Sequence, residues 1–306
     1  MKKTLIVSIL LVFVITWGYT QPVTWDVVDN ASWIAAINGI RRGGNDRVHN
    51  INLNASVVSP PTTGGENTFG TVTGITVNIV GAFDADTEPF SISLSGNGNL
   101  LRIGPGHTIF IRDIALLGRE GNTTSLVNIG AGGTLQMEAS QTNRNIPGGT
   151  YLGDNASYIY WEMVGRTRGR GIWVEGGGTF IMNGGRLANN ASDQSGAGIY
   201  VVSGGTFVMN GGDIYGNYSL GNGGGVYIAS GASFTKTGGI IEGAERGEDS
   251  NNAHDPWGYE QRQGAAIYNG NGNRWRNSAI GETEYSDDFG FYLNDENPMH
   301  MQGWAW

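Results

Sequence analysis

The sequence Gly-Thr-Phe-Ile-Met-Asn-Gly-Gly at residues 178–185 returns almost unchanged as Gly-Thr-Phe-Val-Met-Asn-Gly-Gly at 205–212. A looser copy, Gly-Ala-Ser-Phe-Thr-Lys-Thr-Gly-Gly, follows at 231–239. A fixed period of this length predicts a stacked solenoid, because so short a unit buries its apolar face only against the next unit. The equivalent positions that show the step of 27 residues are Thr179, Thr206 and Ser233.

Each period contains three short apolar bursts that are separated by glycine. In the period at 198–224 the bursts are Ile199-Tyr200-Val201, Thr206-Phe207-Val208-Met209 and Asp213-Ile214-Tyr215. Each burst alternates with a period of two, as strands do, and is too short for a helix. The sequence therefore predicts an all-β fold, a parallel β-helix with three short strands per coil of about 27 residues. The side chains expected to point inward are Ile199, Val201, Phe207, Met209 and Ile214.

The regions outside the repeats divide the chain further. Residues 1–20 begin with Met1-Lys2-Lys3, continue with an apolar run and are typical of a secretory signal peptide. That run is too short to span a bilayer, and no later stretch is long enough either. We expect an amino-terminal capping segment at 21–47, the β-helix at 48–274 and a carboxy-terminal cap at 275–306. Caps are expected because an open coil exposes apolar side chains and unpaired strand edges.

The amino-terminal cap is predicted to contain an amphipathic helix. Asn30 is the expected N-cap, and Gly43-Gly44 is the expected end. The apolar residues at helical spacing are Trp33, Ala36, Ile37 and Ile40. This face is expected to cover the first coil.

Composition and charge restrict the possible functions. The chain has 52 glycines, no cysteine and 15% charged residues, a mixture that argues against a helical bundle and excludes a disulfide-stapled module. Its formal net charge of −9 would become −11 without residues 1–20, since Lys2 and Lys3 would be lost from 18 basic residues against 27 acidic ones. A broad basic face for nucleic acid is therefore not expected. The predicted location is secreted or at the cell surface.

The repeat resembles a known group of proteins. The pattern Gly-Thr-Phe-x-Met-Asn-Gly-Gly-x-Ile-x-x-Asn, with Gly-Val-Tyr-Ile between copies, is similar to bacterial exported right-handed parallel β-helix repeat proteins of pectin-lyase-like fold. The resemblance covers nearly all of the chain after residue 20. It implies a right-handed coil, which is also the usual hand of parallel crossovers. Many members of this group are surface or adhesin-like proteins, so the resemblance implies fold more specifically than function.

Enzymes that cleave polysaccharides share this fold, and their motifs were sought directly. Gly106-His107-Thr108 is the nearest match to a polygalacturonase-type Gly-His-Gly, but it lies far upstream of Asp287-Asp288, and no Arg-Ile-Lys occurs. On the predicted strands Asp213 is an isolated acid, whereas a lyase needs clustered aspartates for calcium. The four histidines have no metal-binding spacing. We therefore expect no catalytic residues, no metal and no cofactor.

Two insertions interrupt the period, near 138–170 and 244–263. Both are expected after the third strand of a coil, at the corner where solenoids commonly form binding faces. Aromatic rings together with charged groups suit sugar binding, so Trp161 and Trp257 are candidate ligand-binding residues. The alternative is that these loops fold on themselves and pack both indole rings on the side of the β-helix. Near Trp161 the first insertion also carries Tyr158, Tyr160, Glu162, Arg166, Arg168 and Arg170.

A second candidate site is a column of aromatic residues. The middle residue of the first strand is aromatic in four successive coils: Trp173, Tyr200, Tyr227 and Tyr268. Because the neighbours of each residue are expected to point inward, this column is expected to point outward. It is either a platform for a glycan or partner surface, or a cross-strand ladder covered by a loop.

Together these features favour an exported, non-enzymatic, adhesin-like β-helix that binds polysaccharide, a cell-surface glycan or a surface protein. One alternative is a polysaccharide lyase or glycoside hydrolase that uses carboxylates of the insertions. The other is a passive spacer in the cell envelope. The role of Lys236, which occupies a predicted interior position, stays open at this point.

Overall fold

The computed structural model describes residues 21–62, 64–82, 89–140, 150–153, 169–242, 251–253, 267–269, 273–276, 283–287 and 290–294. This part of the chain is mostly β, with one helix and four sheets. Successive strands of each long sheet come from successive repeats and pair in parallel, which is consistent with a parallel β-helix. Within the described residues, no helix is long and apolar enough to span a membrane.

Sheet I carries the repeated Thr-Phe-x-Met motif and has nine parallel strands. The pairing sets Thr179 beside Thr206 and Thr206 beside Ser233, so the sequence repeat is also the strand register. The strands of sheet I are Val23–Val27, Val48–Leu53, Ile75–Gly81, His107–Arg112, Thr134–Met137, Thr179–Met182, Thr206–Met209, Ser233–Lys236 and Asn273–Arg276.

Sheet II carries the third strand of each repeat. Its parallel strands are Val57–Ser59, Ser91–Leu94, Ala115–Leu117, Tyr151–Gly153, Arg186–Ala188, Asp213–Tyr215 and Ile240–Ile241. An antiparallel hairpin of Thr283–Asp287 and Gly290–Asn294 then joins its edge at Ile241. The hairpin belongs to the segment expected to form the carboxy-terminal cap.

Sheet III carries the first strand of each repeat, and all six strands are parallel. They are Leu101–Ile103, Val127–Ile129, Ile172–Val174, Ile199–Val201, Val226–Ile228 and Ile267–Asn269. Sheet IV is a short fourth ladder that the sequence analysis did not predict. Its strands are Ala191–Ser192, Tyr218–Ser219 and Asn252–Ala253.

The apolar core runs through the interior of the stacked repeats. All five side chains predicted to point inward in the period at 198–224 are fully buried, which confirms that alternation. The rings of Phe180 and Phe207 stack at 5.2 Å, and the rings of Phe207 and Phe234 are also 5.2 Å apart. Identical residues thus contact one another along the stack.

Glycine turns join sheet I to sheet II. Gly212 has a φ of 90°, and a Cβ at this position would lie 2.7 Å from the carbonyl oxygen of Gly185. Both the backbone angle and the close approach require glycine. The second glycine of each pair, Gly185, Gly212 and Gly239, has a similar positive φ and a similar close contact, so glycine is needed at this position of each corner.

The single helix, Asn30–Arg42, buries Trp33, Ala36, Ile37 and Ile40, as predicted. Its N-cap is Asp29 rather than the predicted Asn30: the Asp29 side chain accepts a hydrogen bond from the Ser32 backbone N–H at 2.7 Å. Asn30 instead accepts a hydrogen bond from the Val58 backbone N–H at 2.7 Å, at the edge of sheet II. The helix ends at Arg42, and its C-cap is Gly43, the first residue of the predicted pair.

The position of the first insertion differs from the prediction. The first insertion lies at two corners rather than one, because the strand Tyr151–Gly153 divides it into 138–150 and 154–171. Its sequence lacks the repeat motif, so the period alone did not reveal this strand.

Lys236 is only 2% exposed and pairs in register with Met209, so its side chain does occupy the interior position that the repeat predicts.

Candidate functional site

The aromatic column predicted from the sequence lies on sheet III. Strand pairing places Trp173 beside Tyr200, Tyr200 beside Tyr227 and Tyr227 beside Tyr268. All four side chains are half-buried, whereas the flanking residues of their strands, such as Ile199 and Val201, are fully buried. The alternation of the short strands therefore brings these four rings to the outer face of the sheet.

The four rings stack on one another. Ring centroids lie 4.7 Å apart for Trp173 and Tyr200, 4.6 Å for Tyr200 and Tyr227, and 5.0 Å for Tyr227 and Tyr268. The planes are inclined by 7°, 10° and 16°. Such close, nearly parallel rings cover each other's faces, so the column presents ring edges and hydroxyl groups outward.

Arg170 contacts the first two rings of the column, those of Trp173 and Tyr200. Its guanidinium carbon is 4.8 Å from the centroid of Trp173 and 5.0 Å from that of Tyr200. Both distances are within the range of about 6 Å in which a cation interacts with an aromatic ring. The Nε of Arg170 donates to the carbonyl oxygen of Ser195 at 2.9 Å, and Nη2 donates to Oε1 of Gln194 at 3.0 Å. A cation–π contact of this kind is worth about 0.5–2 kcal/mol, depending on solvent exposure.

The hydroxyl of Tyr227 is hydrogen-bonded to Tyr200 and lies close to Tyr268. Burial raises the pKa of Tyr227 above its usual value, and the neighbouring Tyr200 and Tyr268 raise this pKa further. A hydrogen bond between the side chains of Tyr200 and Tyr227 acts in the same direction. The hydroxyl of Tyr227 therefore stays protonated at neutral pH, and its oxygen can still accept a hydrogen bond.

Polar residues continue the column beyond Trp173. Asn128 pairs in register with Trp173, and Arg102 pairs with Asn128. Nη2 of Arg102 reaches Oε1 of Glu175 at 3.5 Å, and this ion pair crosses the strand that carries Asn128. Asn128 is consequently only 8% exposed, and its Oδ1 has no hydrogen-bond donor among the described residues.

From the sequence, Arg170 was assigned to the first insertion, and the aromatic residues were assigned to a separate column. In the structure Arg170 contacts that column, because it lies two residues before the strand Ile172–Val174. The ion pair between Arg102 and Glu175 was also missed. A signal for it is present in the sequence, since Arg102 belongs to the outward column and Glu175, two residues after Trp173, is expected on the same outward face.

The other predicted site residues, Trp161 and Trp257, lie outside the described residues, as does the predicted signal peptide. The enzyme alternative depends on carboxylates of the insertions, and three of these, Glu162 in the first and Asp249 and Asp255 in the second, also lie outside the described residues. Across the part of the chain that the structure describes, no three histidine, aspartate or glutamate side chains lie close enough together to hold a metal ion.

Comparisons with known proteins add no further identification. No protein-family model matches the sequence. No curated protein and no solved structure matches it either. The resemblance to exported β-helix repeat proteins therefore rests on the repeat motifs quoted above.

Proposed function

We propose that this protein is an exported, non-enzymatic, right-handed parallel β-helix with about 27 residues per coil. In this proposal it acts in an adhesin-like manner and binds a glycan or another cell-surface partner through the aromatic column. The observation that carries the proposal is the continuous stack of Trp173, Tyr200, Tyr227 and Tyr268 on one outer face.

The geometry suits binding for two reasons. Strand pairing and Arg170 hold the rings before any ligand arrives, so little side-chain entropy is lost on binding. The half-buried tyrosines present ring edges together with hydroxyls, which are hydrogen-bond donors and acceptors for the hydroxyls of a sugar or for a polar protein surface. Arg102 and Glu175 extend the polar part of the same face.

A glycan array with the purified protein tests this proposal. We expect binding to at least one glycan and a loss of about 2- to 10-fold in affinity for Tyr200→Ala, since an aromatic contact contributes about 0.5–1.5 kcal/mol. Tyr215→Ala is the matched control, because Tyr215 is also half-buried but lies on sheet II. Tyr200→Phe separates the contribution of the hydroxyl from that of the ring.

The same experiment distinguishes the alternatives. Incubation of a bound polymer with the protein should release neither new reducing ends nor unsaturated products. Release of either would establish a glycoside hydrolase or a lyase instead. If the wild-type protein binds neither glycans nor intact cell surfaces, the proposal is wrong and the passive spacer is favoured.

A further inference from the structure

A groove of about 600 Å³ lies on the outer face of sheet I, near the amino-terminal end of the stack. It is on a different sheet from the aromatic column. The residues that line it are Thr24, Asn50, Asn52, Asn78, Val80, Phe110, Arg112 and Glu138. Nothing in the proposed function uses this groove.

Strand alternation places these side chains in two rows. Asn50, Asn78 and Phe110 pair in register along one row, and Asn52, Val80 and Arg112 pair along the next. Their strand neighbours point inward and are fully buried; they include Ile51, Val77, Ile79, Ile109 and Ile111. The groove is therefore built on rigid backbone.

The asparagines are held in place and still have free hydrogen-bonding capacity. Asn78 Nδ2 donates to Asn50 Oδ1 at 2.8 Å, and Asn52 Nδ2 donates to Asp26 Oδ1 at 2.9 Å. Each carboxamide has two donor hydrogens and two acceptor sites, so one bond leaves most of them available to a ligand. Groups that both donate and accept suit hydroxyl groups, which do the same.

Arg112 supplies donors that the protein leaves unused. Its Nε lies 3.7 Å from Asp113 Oδ2, which is an ion pair but too long for a hydrogen bond. Within the described residues the guanidinium makes no hydrogen bond, although its Nε is buried. Its Nε faces the buried Asp113, but the side chain as a whole is 30% exposed and lines the groove, so its two Nη groups are the donors available to an oxygen atom of a ligand there.

The charges around the groove argue against an anionic ligand. Asp113 is 5% exposed and offsets the charge of Arg112 at close range. Glu138 also lines the groove, and its carboxylate accepts from Asn183 Nδ2 at 3.2 and 3.3 Å and from Gln136. Asp26 lies beside Asn52. A polyanion would therefore meet more negative than positive charge here.

We propose that this groove binds an uncharged oligosaccharide. Arg112 donates to oxygens of the sugar, Glu138 and the asparagines accept from its hydroxyls, and the half-buried ring of Phe110 contacts its C–H surface. The inference rests on the proposed glycan-binding function and narrows the class of ligand. It does not depend on the aromatic column, so the two sites are tested separately.

Calorimetric titration with uncharged tetrasaccharides of glucose, mannose, galactose or xylose, and with tetragalacturonate, tests the inference. We expect at least one uncharged probe to bind more tightly than the uronate. Arg112→Gln should weaken that binding about 10- to 100-fold, because hydrogen bonds to a charged group are lost. Arg119→Gln is the matched control, since Arg119 is exposed and lies outside the groove.

Two more variants make the result unambiguous. Glu138→Gln keeps the shape of the side chain and removes a negative charge, so tetragalacturonate should bind more tightly to this variant than to the wild type. If Arg112→Gln does not fold because Asp113 loses its counter-ion, Arg112→Gln/Asp113→Asn removes both charges together, and asparagine tolerates the φ of 55° at that position.

Three results would overturn the inference: tighter binding of the uronate than of every uncharged probe, equal affinities for the Arg112 and Arg119 variants, or no binding of any uncharged probe. Tyr200→Ala separates this inference from the proposed function. Binding that is lost in Tyr200→Ala but kept in Arg112→Gln would refute the groove and leave the aromatic column as the binding site.

Discussion

His49 and His107 are buried in the amino-terminal repeats, each with 1% exposure. Nε2 of His107 lies 2.6 Å from the carbonyl oxygen of Val72 and must donate to it, while Nδ1 faces the N–H of Gly104 at 3.4 Å and must accept. These two contacts fit a neutral imidazole. Burial lowers the pKa of both histidines, and Arg47 lowers that of His49 further.

Acidification should therefore destabilise the fold. A histidine whose pKa is lower in the folded chain contributes stability that is complete above its unfolded pKa of about 6.5 and is lost as the pH falls below it. We expect the free energy of unfolding in urea to be smaller at pH 5.5 than at pH 7.5. His107→Gln should reduce that difference, whereas equal stability of the wild type at both pH values would contradict this account.

At the scale of elements, the fourth ladder is supported by a row of buried asparagines, Asn190, Asn217 and Asn251. Nδ2 of Asn217 donates to Tyr215 O at 2.9 Å and to Asn251 Oδ1 at 2.9 Å, and its Oδ1 accepts from Asn190 Nδ2 at 2.9 Å. Each asparagine thus bonds to an adjacent repeat and to the chain just before it in its own repeat. The row fixes the corner between sheets II and IV.

Loss of one member should destabilise the protein strongly. Asn217→Ala leaves several buried polar groups without partners, at a cost of about 1–3 kcal/mol for each such group. The matched control is Asn210→Ala, because Asn210 belongs to a similar ladder with Asn183 and Thr237 but is exposed. Its expected cost is below about 0.5 kcal/mol. Urea unfolding measures both, and similar losses for the two variants would contradict the role of the buried row.

The repeats made three of the four ladders predictable, because a period of two marks each strand and the 27-residue step gives its partner. Sheet IV was missed because strands such as Ala191–Ser192 are too short to show alternation. The Asn-x-Ser sequences at Asn190 and Asn217 were the available signal, since they recur at the same step. The outward position of the aromatic column was also predictable. The stacking of its rings depends on side-chain torsions that a sequence pattern does not contain.

At the scale of the whole molecule, hydrogen bonds at the amino-terminal end of the stack occupy the edges of sheets II and III. Asn30 accepts from the backbone of Val58 at the edge of sheet II. At the edge of sheet III, Thr68 donates its N–H to Arg102 O at 2.9 Å and accepts from Arg102 N at 2.8 Å. Polar groups therefore occupy bonding positions that another strand would need. The sequence predicted the covering helix. It did not predict these hydrogen bonds, because they join residues that are far apart in the chain.

The central claim is that the aromatic column is a binding surface on a rigid stack of parallel strands. A crystal structure of the protein with the glycan that binds best on the array tests it most directly. We expect density for a saccharide against the edges and hydroxyls of Tyr200 and Tyr227. A saccharide bound only at other sites, with this face of sheet III free of ligand and of crystal contacts, would contradict it.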